Sequence, residues 1–397
     1  MGIVRRVAGG ALRRAGLRPG LNGRAETDEQ FLQRVYRTLL DRDVDPAGLA
    51  TYREELAHGL ARADLVLRLA TSEEHRNRIV SAAVGLEDLK ALRPERYAIE
   101  HHVEWDSPVD VFVAETPEDF DWLERAILDF GYYETAGVWG FEVDLDKRLM
   151  AEVVARLGAR RAPPSAQGAA RASSPAQGAA RALDLGCANG TVMACLDELG
   201  VRCDGVDISR LALRKAVPSV RDRIFIGDVL DLDLPGPYDV VFGLDIFEHF
   251  NPNRLDDYLR RVAELVRDGG YVFTNVPAFG ADPVFGTVFP FYVRRWEQEA
   301  AAGRLFSRLH VDLNGYPLNG HLVWADWRWW VERFEAAGLR REPEVEQALH
   351  EQYDAAIEGY SLARKSFFVF SKRVADDDRA ALVDRLRSTT STVLEAS

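Results

Sequence analysis

The stretch Leu183-Asp184-Leu185-Gly186-Cys187-Ala188-Asn189-Gly190 decides the fold. It reads as a buried strand running into a tight turn bounded by glycines. Gly186 and Gly190 let the backbone turn sharply and approach a ligand where a Cβ would collide. Two further acidic residues follow at the spacing of successive β-α units: Asp207 in Gly205-Val206-Asp207-Ile208-Ser209, and Asp228 in Ile226-Gly227-Asp228-Val229. A carboxylate ending the second strand can accept both hydroxyls of a ribose. One ending the third can accept the exocyclic amine of an adenine. The loop lacks the third glycine of Gly-x-Gly-x-x-Gly and the lysine of a P-loop, so nothing in it cradles a phosphate. An adenosine without phosphates, laid across the carboxyl ends of a parallel sheet, points to S-adenosyl-L-methionine.

Two later stretches extend the pattern. Tyr238-Asp239-Val240-Val241-Phe242-Gly243-Leu244-Asp245-Ile246-Phe247-Glu248-His249 reads as a fourth strand and its turn. Leu265-Val266-Arg267-Asp268-Gly269-Gly270 followed by Tyr271-Val272-Phe273-Thr274-Asn275 reads as helix, turn and fifth strand. With these five ordered motifs the chain, from roughly Ala182 to Arg373, resembles the class I, Rossmann-like S-adenosylmethionine-dependent methyltransferases. The resemblance implies an α/β fold with a doubly wound, seven-stranded sheet whose last strand, Ser366 to Lys372, lies antiparallel. It also implies a cofactor set of Asp184, Gly186, Cys187, Ala188, Asn189, Gly190, Asp207, Ile208, Asp228, Val229, Gly243 and Leu244.

At 397 residues the chain exceeds one comfortable core, which predicts two domains. A net charge of −13 argues against nucleic acid as a partner, because phosphate binding needs a basic footprint. Residues 1–25 are the exception, with six arginines and no acid; they read as a basic tail capable at most of a weak peripheral contact with anionic lipid. No apolar run is long enough to form a transmembrane segment. The three cysteines, Cys187, Cys195 and Cys203, sit at core-like positions of one β-α-β unit and suit reduced thiols in a cytoplasmic protein.

Residues 26–85 read as helical. Phe31, Val35 and Leu39, with Leu32, Tyr36 and Leu40 beside them, form one apolar stripe, and Asp45-Pro46 starts a second helix that turns Leu49, Tyr52 and Leu56 inward. Thr71-Ser72-Glu73-Glu74 offers caps for a further helix. The string from Phe31 to Leu49, with Ser72-x-Glu74, resembles an all-helical domain of unknown function, similar to phycobilisome-linker repeats and often fused to enzymes of bacterial surface polysaccharides. That implies an interaction module with a protein partner. Asp41-Arg42-Asp43-Val44-Asp45 is not a calcium loop: Pro46 stands where the loop glycine must be and Tyr52 at the bidentate glutamate position. Residues 90–160 form a connector and cap, with helices predicted from Pro117 and from Asp144 to Leu157; Tyr132, Tyr133, Trp139 and Phe141 are candidates to close the cofactor site. Residues 161–181 hold Ala-Gln-Gly-Ala-Ala-Arg-Ala twice, at 166–172 and 176–182, and read as a flexible insertion. The tail, 374–397, is predicted as a surface helix or disordered.

Methyl transfer from a sulfonium is an in-line displacement that an attacking hydroxyl completes by losing its proton, so a base should stand at the mouth of the strands. His249, after the fourth strand, is the first candidate; His310 and His321 are the second. Asp245, Glu248 and His249 also fit a metal reading, similar to the Glu-x-x-Glu-His of metal-dependent ubiquinone O-methyltransferases with aspartate replacing the first glutamate; no metal is assigned. The segment from Phe279 to Trp330 is rich in aromatic residues, among them Phe285, Phe289, Phe291, Tyr292, Trp296, Tyr316, Trp324, Trp327, Trp329 and Trp330, and suits a sugar or an aromatic ring. Trp327, Trp330 and Phe334 recur at helical spacing and belong to the core. The expected activity is O-methylation of a saccharide or other small-molecule hydroxyl. The alternatives are a natural-product or quinone-like acceptor, and a scaffold that binds the cofactor without catalysis.

Overall fold

In the computed structural model the glycine turn ends a strand, Arg181–Leu185 (β1), whose last four residues are buried. The structure describes residues 26–40, 43–44, 46–72, 75, 86–102, 107–135, 142–159, 180–288, 307–360 and 362–396. Two units make up the chain. The first comprises Met1–Val113, Phe130–Val138 and His310–Asn319; the second comprises Ala114–Asp129, Trp139–Leu309 and Gly320–Ser397.

The second unit is built on a seven-stranded sheet. After β1 come Arg202–Asp207 (β2), Ile224–Ile226 (β3), Tyr238–Leu244 (β4), Val266–Asn275 (β5), Arg340–Arg341 (β6) and Phe367–Lys372 (β7), in the spatial order β6-β7-β5-β4-β1-β2-β3. β3, β2, β1, β4 and β5 run parallel. β7 is antiparallel to β5, and β6 to β7. Strand order reverses between β1 and β4, and that switch point opens a crevice at the carboxyl ends. β4 is an almost continuous apolar run because helices cover both of its faces. Its one buried acid, Asp239, accepts from the Arg181 N–H at 2.8 Å and from Arg267 at 2.6 Å.

Helices Leu145–Gly158, Thr191–Glu198 and Pro343–Tyr360 supply Met150, Val154, Leu196, Leu349 and Tyr353 to a core shared with Phe242, Phe273 and Phe367. Asp144 starts the first of these, its carboxylate accepting from the Lys147 N–H at 3.0 Å. The three cysteines are buried and free. Gly205 in β2 makes room for one of them: a Cβ there would lie 2.7 Å from Cys187 Sγ. The fifth strand starts at Val266, earlier than the sequence predicts, because Val266 pairs with Tyr238 and a register shift next to Val240 absorbs the expected turn. The tail is helical at Asp376–Ser388, which buries Leu382, Val383 and Leu386. Beyond it, buried Glu152 accepts from the Thr392 N–H at 2.8 Å.

In the first unit, helices Asp28–Leu39, Pro46–Ala57 and Arg62–Ala70 enclose Phe31, Leu32, Val35, Leu65 and Val66. Thr27 and Gln30 form a reciprocal capping box at its first helix. Strands Tyr97–His102 and Ser107–Val113 pair antiparallel. Residues 310–319, predicted as part of the methyltransferase segment, belong to this unit instead. Local bonds draw them there: Leu89 N–H donates to the Asn314 carbonyl at 2.8 Å, the Tyr97 hydroxyl to that of Gly315 at 2.9 Å, and Tyr316 stacks on Tyr132 with centroids 5.0 Å apart. The basic tail, most of the 161–181 insertion, Asp41, Arg42, Asp45, Glu73, Glu74, Trp139, Phe141, Phe289, Phe291, Tyr292 and Trp296 lie outside the described residues. No helix among the described residues is long and apolar enough to cross a membrane.

Candidate active site

The turn after β1 takes a form that glycine alone accepts easily. Gly186 has φ +72°, and a Cβ on it would meet Ile246 Cδ1 at 2.8 Å; Gly190 has φ +79°, and its Cβ would meet Val220 Cγ2 at 2.6 Å. Between them Ala188 holds φ +48°. The N–H groups of Gly186 and Cys187 both donate to the Val206 carbonyl, at 2.8 and 3.0 Å. One oxygen of Asp207 accepts from the Ala188 N–H at 3.0 Å, the other from the Ser209 N–H at 2.8 Å. Asp207 thus ties the glycine turn to the end of β2. Burial, with Asp207 nearby, pushes the Asp184 carboxyl well above the usual carboxylate range. Next to buried Asp207, Ile208 is left 44% exposed, an open apolar side chain of the kind an adenine face covers.

Asp228 is reached through Gly227, whose N–H donates to the Asp207 carbonyl at 2.9 Å. Its carboxylate accepts from the Leu230 N–H at 2.9 Å, the Tyr258 hydroxyl at 2.8 Å and Arg254 at 3.1 Å. Four lone-pair positions leave one for an amine. Val229 beside it is buried, as are Cys187 and Asn189, and the Asn189 carbonyl accepts from Val217 N–H at 2.9 Å. Gly243 serves packing: a Cβ on it would meet Ile246 Cγ2 at 2.5 Å. Leu244 is half-buried at the end of β4. Positive-φ glycines, a carboxylate fixed by backbone donors and an open apolar side chain fit an adenosyl cofactor.

The turn after β4 carries the second half of the site. Asp245 has φ +53°, and its carboxylate is paired with Arg364, which also bonds Asp146 at 3.1 Å and the Asn275 side-chain oxygen at 2.8 Å. The set Asp245, Glu248 and His249 is therefore not assembled. Glu248, His249 and His321 come together in its place, one ligand atom of each lying within 4.8 Å of the others. The cause is backbone pairing: the Glu248 carbonyl accepts from the N–H groups of Leu322 and Val323, at 2.7 and 3.0 Å, which carries His321 into the turn. Glu248 is 0% exposed, and its carboxyl oxygens have no hydrogen-bond partner among the described residues. Oε1 stands 3.7 Å from His321 Nε2.

The His249 and His321 rings meet edge to face at 4.9 Å, and Trp324 lies 4.8 Å from His321. Burial pushes the Glu248 carboxyl up, and Asp245 adds to the effect. Burial also pulls His249 down to about 4, against the opposing pull of Asp245 and the backbone at Gly320 and Asp245. His321 is held well below its ordinary value by burial and by His249. Both imidazoles are neutral at physiological pH, each with a nitrogen lone pair.

His310, ranked with His321 in the sequence, falls in the first unit, as do Tyr132 and Tyr133. Of the aromatic segment, Trp330 is fully buried and Phe285 nearly so, and Phe334 just beyond it is fully buried too. Trp327 donates to the Ala281 carbonyl at 3.1 Å and lies over Arg341, which is paired with Asp282 and Glu346. Tyr258, Arg254 and Arg364 escaped the sequence reading. The first two carried one usable signal, an i, i+4 pair opening the helix Leu255–Leu265 that follows the fourth strand.

Residues 144–353, just over half of the 397-residue chain, match the model of a methyltransferase domain. The chain belongs to that family. S-adenosylmethionine is the cofactor of this methyltransferase domain. Residues 22–79 match a domain of unknown function, DUF4214. Among curated proteins, the chain is similar to a ubiquinone biosynthesis O-methyltransferase of Albidiferax ferrireducens, 31% identical over 100 residues that cover 23% of this chain and 38% of that one. The corresponding enzyme of Burkholderia orbicola is 34% identical over 100 residues, covering 23% and 42%. The chain thus matches less than half the length of these curated relatives. Among solved structures it is similar to 1,6-didemethyltoxoflavin-N1-methyltransferase of Burkholderia thailandensis, solved with 1,6-didemethyltoxoflavin and S-adenosylhomocysteine. Identity is 18%, covering 62% of this chain and 90% of that one, with a TM-score of 0.36. For a putative methyltransferase of Bacillus halodurans the values are 15%, 42%, 65% and 0.30.

Proposed function

We propose that the protein transfers the methyl group of S-adenosylmethionine to a hydroxyl of a small molecule, a saccharide before other acceptors. In this reading Asp207 holds the ribose, Asp228 accepts the adenine amine, and the Gly186–Gly190 turn receives the methionine end. The acceptor oxygen meets the Glu248, His249 and His321 cluster. The observation that carries the reading is the position of that cluster: Ile246, one residue after Asp245 in the same turn, packs on Gly186 of the cofactor loop. The acceptor oxygen attacks the methyl carbon in line; the O–CH₃ bond forms as the S–CH₃ bond breaks, and the electron pair stays on sulfur. The hydroxyl proton leaves as attack proceeds, and a neutral imidazole lone pair can receive it or bind a Lewis acid that makes the hydroxyl more acidic.

The saccharide is favoured by the resemblance of the helical domain to modules fused to surface-polysaccharide enzymes, and by the Trp324 ring beside His321. In the same reading the helical domain recruits a protein partner and the enzyme works in the cytoplasm. A quinone-like phenolic hydroxyl is the second acceptor class, favoured by the ubiquinone O-methyltransferases among the relatives. The test is a transfer assay with methyl-labelled cofactor against a panel of sugars and a panel of catechols. Labelled sugar, lost in Asp207→Ala, supports the first acceptor; labelled catechol alone replaces it with the second. Cofactor binding with no transfer to either panel would favour a non-catalytic scaffold.

A further inference from the structure

We infer that Glu248, His249 and His321 form a binding site for a first-row divalent transition-metal cation. The inference rests on the methyltransferase reading only for what the cation would do, not for whether it binds. Three observations lead to it. Glu248 is completely buried, and neither of its carboxyl oxygens is hydrogen-bonded among the described residues. A buried polar group without a partner is costly, and a cation held between it and two imidazole nitrogens removes the cost. One ligand atom from each of the three side chains lies within 4.8 Å of the others. Ligand atoms bound at roughly 2.0–2.2 Å to a four-coordinate ion stand about 3.3–3.6 Å apart, so side-chain movements of about an ångström close the set. Finally, the Leu322 and Val323 N–H groups donate to the Glu248 carbonyl at 2.7 and 3.0 Å, which fixes the segment that carries His321 against the turn that carries Glu248 and His249.

The site departs from the Glu-x-x-Glu-His pattern. Asp245, at the position of the first acid, is taken up by Arg364, and His321, from a distant loop, stands in. That exchange of an oxygen for a nitrogen changes the metal selected. Two imidazoles and one carboxylate suit Zn²⁺, Co²⁺, Fe²⁺ or Mn²⁺, whereas Mg²⁺ and Ca²⁺ prefer oxygen ligands. Three protein ligands leave positions open for an acceptor oxygen, whose proton would then pass more readily to water.

The test uses the full-length protein, stripped with a chelator and titrated with Co²⁺. Absorption in the visible should saturate at one equivalent, and proton NMR should show two shifted, exchangeable imidazole N–H resonances. Zn²⁺ should displace the cobalt and Mg²⁺ should not. Glu248→Gln and His321→Ala should each weaken binding at least about tenfold, while S-adenosylhomocysteine binding in the same samples is unchanged and marks an intact fold. The site is overturned by absence of saturable cobalt binding, by fewer than two shifted imidazole resonances, or by Mg²⁺ displacing cobalt at equal concentration. Loss of S-adenosylhomocysteine binding by wild-type protein would break the methyltransferase reading, while the cobalt spectra would still decide the cation site.

Discussion

The two ends of the candidate site are held in different ways. At the cofactor end, fixed points come from within one β-α-β unit: Asp207 bonds the N–H groups of Ala188 and Ser209, and the glycine turn hangs from the Val206 carbonyl. At the acceptor end they come from far away. His321 reaches Glu248 across the connection after the fifth strand, and Arg364 reaches Asp245 from just before the last. A ligand common to a whole family can be held by backbone geometry, which tolerates sequence change. An acceptor particular to one enzyme is met by side chains, which distant segments can exchange.

If that division is right, damage at one end should spare the other. The largest effect is expected from His321→Ala: turnover with the acceptor found by screening falls about 10²–10⁴-fold, while calorimetry gives an unchanged affinity for S-adenosylhomocysteine. A matching loss of cofactor affinity would erase the distinction. Asp207→Ala does the reverse, lowering S-adenosylhomocysteine affinity about 100-fold, since it removes the proposed ribose acceptor and leaves two backbone donors without a partner; cobalt binding should persist. Gly186→Ala places a Cβ against Ile246, which belongs to the acceptor turn, so it should disturb both ends. Its cost, about 1–3 kcal/mol in urea denaturation, sharpens the comparison by locating where the halves touch. The smallest effect is expected from Tyr258→Phe, which deletes one donor to Asp228 and should weaken cofactor binding several-fold, or about 1 kcal/mol.

The same division explains what the sequence disclosed. Strands β1 to β4, the buried cysteines and the last antiparallel strand were readable because apolar runs and turn glycines are local signals. The places of Asp207 and Asp228 were readable from the strands before them: Asp207 closes β2, and Asp228 follows the end of β3 by two residues. Which of Asp245 and His321 stands with Glu248 was not readable, since spacing within a turn does not tell which side chain a distant arginine will claim. His310 and His321 look alike in sequence; the bonds of residues 310–319 to Leu89 and Tyr97, and those of Leu322 and Val323 to the Glu248 carbonyl, separate them. The early start of β5 was hidden by two glycines that read as a turn but lie inside the strand, where a Cβ on Gly270 would meet the Asp239 carbonyl at 2.8 Å.

Arg364 has a further consequence, for the order of assembly. Its half-buried guanidinium, carried just ahead of the last strand, joins Asp146, before the first strand of the sheet, to Asp245 and Asn275 in the middle. Such long-range contacts form late in folding, after local β-α units have closed. As the chain leaves the ribosome, the adenosyl half can be finished while the turn after β4 still waits for its counter-charge. Newly made protein would therefore gain the capacity to hold its methyl donor before it can place anything to be methylated.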